Sequence, residues 1–145
     1  MTTFDWSREE NRCFGCGDNP IGLKLDFARE GKWVVARTKL DELYQGFKGY
    51  AHGGIIATLL DEASAWAAMA KTERITPSYE LECQFLNPVP LEETITVRAM
   101  VRNRRHEIVK TKAEVRNKEG EILAKAEISC RVLEKEIEAD EARLL

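Results

Sequence analysis

The chain has 145 residues, 43% of them hydrophobic and 32% charged, with a formal net charge of −3. That describes one ordinary globular domain, long enough to bury a real core. Five acids against two bases in the tail Glu134–Leu145 leave the body near neutral, which argues against a general nucleic-acid binder, and no apolar run approaches the ~20 residues of a membrane span.

Residues 1–20 read as a polar, glycine-rich lead-in. The start, Met1 to Glu10, lacks the apolar core of a signal peptide, so the cytoplasm is the expected compartment. Within the lead-in, Cys13-Phe-Gly-Cys16 has the spacing of half a zinc knuckle. No second pair stands at matching spacing, so a turn with packed thiols and no bound metal is expected. Cys83 and Cys130 fall in strand-like runs, where a small buried thiol is usual.

Leu23 to Ala28 and Trp33 to Leu40 alternate apolar and polar residues around Arg29-Glu30-Gly31-Lys32, which predicts a hairpin. Asp41 to Ala51 reads as a loop. Gly54 to about Lys71 is the one long helix. Beyond Pro77 the period becomes two: Ser78 to Asn87, Thr94 to Arg102, Ile108 to Val115 and Ile122 to Val132 are strands. The order strand, strand, helix, four strands predicts an α+β domain with a mainly antiparallel sheet and one dominant helix.

The helix carries the chemistry. His52-Gly53-Gly54 opens it, and the first N–H groups of a helix have no internal partner and sit at the positive end of its dipole. Glycine there lets a ligand reach the backbone. Two turns on, Asp61 interrupts an apolar run. One face is widely apolar, and the other carries Thr58, Asp61, Ser64, Ala65 and Ala68. A solvated face would carry Lys and Glu, so these small residues predict a covering surface, a second subunit, with Asp61 in a cleft.

Three stretches resemble the hotdog-fold acyl-CoA thioesterases of the phenylacetate-pathway (PaaI-like) branch. They are Cys13-Phe-Gly-Cys-Gly…Asn19-Pro-Ile-Gly-Leu23, Gly49-Tyr-Ala-His-Gly-Gly-Ile-Ile-Ala-Thr-Leu-Leu-Asp61 and Phe85-Leu-Asn-Pro88. The likeness runs from about residue 13 to 133, within a single domain spanning 1–145, and leaves the charged tail from 134 outside. It implies a sheet wrapped around a central helix and hydrolysis of an acyl-CoA without a cofactor.

By the same resemblance, the Gly53 N–H holds the thioester oxygen, and Asp61 is general base or nucleophile. Ser78 orients the water. His52 organises the loop, and Gly54, Gln45 and Gly46 border the substrate. Where some relatives carry a carbonyl-assisting Asn, this chain has Gly46, with Gln45 beside it. Arg102, Arg104 and Arg105, in the densest basic stretch, are the candidates for the coenzyme A phosphates, since guanidinium groups satisfy phosphate oxygens well. Tyr44, Phe47, Trp66 and Met69 are candidates for the acyl pocket. The resemblance also implies a homodimer sharing its sites, assembling further into a homotetramer.

A non-catalytic acyl-CoA binding module on the same fold is the alternative, and it has no need of a carboxylate beside the carbonyl. A hydratase or dehydratase would want a His/Asp or His/Glu acid–base pair on another loop, and the sequence offers no convincing one. A cysteine nucleophile, Cys13 or Cys83 with His52 or His106, has no supporting motif.

Overall fold

The computed structural model describes Thr2–Thr3 and residues 11–134; the charged tail beyond lies outside the described residues. Seven strands and one long helix follow in the order β1 (Thr2–Thr3), β2 (Ala28–Glu30), β3 (Trp33–Lys39), α1 (Gly53–Thr72), β4 (Ser78–Phe85), β5 (Thr94–Arg105), β6 (Ile108–Arg116) and β7 (Ile122–Arg131). They form one sheet, ordered β1-β2-β3-β5-β6-β7-β4, with every neighbouring pair antiparallel.

Alternation explains how the sheet holds the helix. Ile95, Val97 and Ala99 on β5, Ala113 and Val115 on β6, and Ala124 and Ile128 on β7 are buried on the face that receives α1. The opposite face carries Arg98, Lys112, Glu114, Lys125 and Glu127. There Glu114, only 3% exposed, is held by Arg98 and Arg116 at 3.0 and 2.7 Å, and Arg98 lies 3.9 Å from the centre of the Trp33 ring. Burial alone would raise the Glu114 carboxyl; the two guanidinium groups hold it below its usual range.

Two expectations change. Leu23 to Phe27 is no strand: Lys24 takes a left-handed φ of 51°, and the Leu23 and Leu25 N–H groups donate instead to Phe14 and Gly15 carbonyls at 2.7 and 2.9 Å. The alternation was real, since Leu23, Leu25 and Phe27 are buried in the core, where Phe27 stacks on Trp66 of α1 at 5.7 Å. β5 also outruns its apolar pattern to Arg105, through a bulge between Val101 and Asn103. The helix ends on Glu73, which is left-handed at φ 56° and donates its N–H to Met69 O.

Candidate active site

His52 caps α1. Its backbone is extended, and its Nδ1 accepts the Gly54 N–H at 2.9 Å, which fixes the proton of a neutral ring on Nε2. The Ile55 and Ile56 N–H groups both donate to His52 O, at 2.9 and 3.1 Å. Of the first-turn donors, the Gly53 N–H alone has no acceptor among the described residues. Packing holds the loop in place. A Cβ on Gly46 would come within 2.9 Å of His52 Cα, so only glycine fits there, and Gln45 Oε1 accepts the Gly49 N–H at 2.8 Å. Gln45 thus staples its own loop.

Two turns along, Ser78 Oγ donates to Asp61 Oδ1 at 2.6 Å. Ser78 stands at the head of β4, fixed by pairing with Cys130. Both residues open on a cleft of about 370 Å³, shared with Ala57, Thr58, Tyr79 and Leu81. Cys130 Sγ lies 3.8 Å from Ser78 Oγ, and burial pushes that thiol up, so it stays neutral beside the carboxylate. Asp61 Oδ2 has no protein donor among the described residues. The acyl-pocket candidates are elsewhere. Trp66 and Met69 are buried in the core, Tyr44 donates its hydroxyl to the Ile21 and Gly22 carbonyls, and Phe47 is 90% exposed.

The small-residue face is divided. Ser64 and Ala68 are fully buried within the chain itself, leaving Ala57, Thr58, Asp61 and Ala65 as the half-exposed strip. Beside it β4 is the sheet edge, exposed almost throughout, with Tyr79, Leu81 and Phe85 at 59%, 38% and 55%.

The arginine cluster does not act as a unit. Arg102 faces outward and is engaged by Glu127, while Arg105 lines a groove with Asn103, Lys110 and Arg131. Arg104 is the member aligned with the cleft. Ser78, Cys130, Val109 and Arg104 are successive partners across β4, β7, β6 and β5. Directly opposed residues share a face, so Arg104 sits on the Ser78 side, three strand spacings or about 14 Å away.

Sequence reasoning missed a second cluster. Glu62, the next residue after Asp61, meets Cys13 and Cys16, with Cys13 Sγ 3.6 Å from Glu62 Oε1. The hydrogen bond from Cys16 draws the Cys13 thiol down to about 5, and burial pushes the Glu62 carboxyl up to about 7. A carboxylate following the apolar-run Asp was the one signal available.

The thioesterase superfamily profile matches residues 48–124, from the loop before α1 into β7. Acyl-coenzyme A thioesterase 13 of Homo sapiens is 32% identical over 105 residues, covering 70% of this chain and 74% of that protein. A Streptococcus mutans protein solved bound to acetyl CoA superposes with a TM-score of 0.71 at 22% identity, over 78% of this chain and 91% of its own. The Escherichia coli PaaI protein, from the phenylacetic acid degradation operon, gives 0.73 at 20%, over 80% and 84%. The one-helix, antiparallel-sheet architecture is the hotdog fold of these proteins, and the chain belongs to the thioesterase superfamily, as a thioester hydrolase.

Proposed function

We propose that the protein hydrolyses an acyl-CoA to the free acid and coenzyme A, at sites built from two chains. The observation that carries this reading is the Ser78–Asp61 pair in its cleft, with one carboxylate oxygen held and the other open. Water enters against Oδ2. Its oxygen bonds to the carbonyl carbon as its proton passes to Asp61, the C–S bond then breaks, and the departing thiolate takes that proton. Ser78 holds the carboxylate in line.

The oxyanion donor has to come from a second chain. Gly53 and Asp61 are eight residues apart on one helix, about 12 Å along its axis, whereas a reacting carbonyl needs both within about 3 Å. β4 runs beside α1 in the opposite sense: Ser78 meets Asp61, and the Phe85 ring lies 3.7 Å from where a Gly53 Cβ would be. Antiparallel pairing of two β4 edges about a two-fold axis sets one chain's Asp61 end against the partner's Gly53 end. That pairing would also cover the exposed edge of β4, which otherwise invites uncontrolled association. Coenzyme A as the leaving group is supported by the human relative's name, by the acetyl CoA bound to the Streptococcus mutans protein, and by Arg104 on the Ser78 row. Among the described residues no helix is long and apolar enough to cross a membrane, and none of the four cysteines forms a disulfide, which suits a reducing cytoplasm.

Two variants test both halves. Asp61→Asn should lower kcat by at least about a hundredfold on a panel of acyl-CoAs. Gly53→Pro removes the N–H at the helix position that tolerates proline best, after a His52 already at ψ 140°, and its Cβ would meet the Phe85 ring at an ordinary contact of 3.7 Å. It should cost about 10²–10³-fold. Co-expressed, the two should recover about a quarter of wild-type activity, because half the dimers are mixed and each mixed dimer holds one intact site. An Asp61→Asn chain near wild type would sink the mechanism, and no recovery on mixing would sink the shared site.

A further inference from the structure

We infer that Cys13, Cys16 and Glu62 form a zinc site that fastens the N-terminal turn to α1. The three ligand atoms lie within 4.8 Å of one another, two from a tight turn and one from the helix. Tetrahedral zinc, with Zn–S of about 2.3 Å and Zn–O of about 2.0 Å, sets a sulfur–oxygen edge of about 3.5 Å. Cys13 Sγ to Glu62 Oε1 is 3.6 Å.

The turn is shaped for this approach. The Gly15 N–H donates to Cys13 Sγ at 3.3 Å, and Gly17 N–H closes the turn on Cys13 O at 2.9 Å. A Cβ on Gly15 would stand 2.5 Å from the Glu62 carboxyl, so any other residue there would push the carboxylate aside. No Lys or Arg pairs with Glu62 among the described residues. Asn11 Nδ2 reaches Cys16 Sγ at 3.7 Å, but among the described residues no opposite charge meets the two thiols and the carboxyl gathered here.

Two sulfurs exclude calcium and magnesium, which take oxygen ligands, and two thiolates with one carboxylate suit zinc, with water in the fourth position. Binding releases the thiol protons to solvent. The sequence shows only half a knuckle because the third donor comes from the helix, 46 positions after Cys16.

The test uses the reduced full-length chain. Purified from zinc-supplemented medium, it should hold one zinc per chain by elemental analysis. Iodoacetamide labelling read by mass spectrometry should find Cys13 and Cys16 protected by zinc, with Cys83 reacting as in the metal-free chain. Cobalt(II) in place of zinc should give thiolate-to-metal charge-transfer absorption. Glu62→Gln should weaken zinc binding at least about tenfold and Cys16→Ser further, while Cys83→Ser binds as wild type. The labelling needs no variant, so a Cys16→Ser chain that fails to fold leaves the test standing. Absence of stoichiometric zinc, zinc without protection of Cys13 and Cys16, or unchanged affinity in Glu62→Gln would each overturn the site. So would a reduced chain that takes up no zinc and oxidises to a Cys13–Cys16 disulfide.

Discussion

Asp61 and Glu62 are neighbours on α1, yet about 100° of helical turn sends them to different flanks. On the Glu62 flank the chain closes on itself. The segment from Cys13 to Phe27 lies there, with the Gly17, Gly22, Leu23 and Leu25 N–H groups donating to carbonyls within it, and Phe27 is 1% exposed against Trp66. On the Asp61 flank the chain stops short. A cleft remains open, the strip Ala57, Thr58, Asp61 and Ala65 is half exposed, and an apolar strand edge runs beside it. One helix thus spends one side on holding the domain together and leaves the other open, where the proposed partner and substrate would sit. Substitutions on the two flanks should therefore fail in different ways.

The open flank should give the largest loss. Leu81 lies at the middle of β4 and is 38% exposed. Antiparallel pairing of two such edges brings the partner's Leu81 close by, so Leu81→Asp sets two like charges together in an apolar seam. Light scattering should then report a monomer, and hydrolysis should fall by at least about a thousandfold as each Asp61 loses its donor. A monomeric variant with full activity would break the comparison, because the open flank would then need no partner.

The closed flank should fail in stability. Phe27→Ala removes a fully buried ring from the Trp66 stack and should cost about 3–5 kcal/mol in urea denaturation. Turnover per folded chain should hold, since Phe27 touches neither the cleft nor β4's exposed edge. If kcat fell while the denaturation midpoint stayed, the two flanks would not be separate in function.

How far the sequence reached follows the same division. Local signals were legible: the helix expected from Gly54 to about Lys71 and found at Gly53–Thr72, and the four strands after Pro77, show in periodicity, whereas the sequence marks His52 only as a loop organiser and not as the cap on the Gly54 N–H. What needed register was not. The alternation in Leu23 to Phe27 said that one side is buried but not against what, and a strand was the nearer guess. Arg102, Arg104 and Arg105 look like one cluster until a bulge at Val101–Asn103 turns them to different faces. Glu62 meets Cys13 across 49 positions, a closeness no local pattern carries. Ser64 and Ala68 looked like interface by size and are buried by their own chain.

Ser78→Ala sharpens the open flank from within. The hydroxyl donates to Asp61 at 2.6 Å and so orients the base without touching the carbonyl. Water can take its place, so kcat should fall by roughly tenfold or less. A loss equal to that of Asp61→Asn would make Ser78 a reacting group and the present roles wrong.

The smallest effect should separate two arginines two residues apart. Arg104 shares the Ser78 row and face, and its Nε donates to the His106 carbonyl, which among the described residues leaves its remaining donors for a phosphate. Arg102 is turned outward and paired with Glu127. Arg104→Glu should therefore raise KM for an acyl-CoA by about fivefold, and leave KM for a short thioester without the nucleotide within about twofold. It should also flatten the dependence of KM on salt, since a screened attraction has been removed. Arg102→Glu should move neither substrate's KM by more than about twofold, because it exchanges one exposed pair for a repulsion at the surface. Equal effects of both variants on both substrates would mean that the nucleotide does not lie along the Ser78 row, and that the open flank of α1 receives its substrate from another direction.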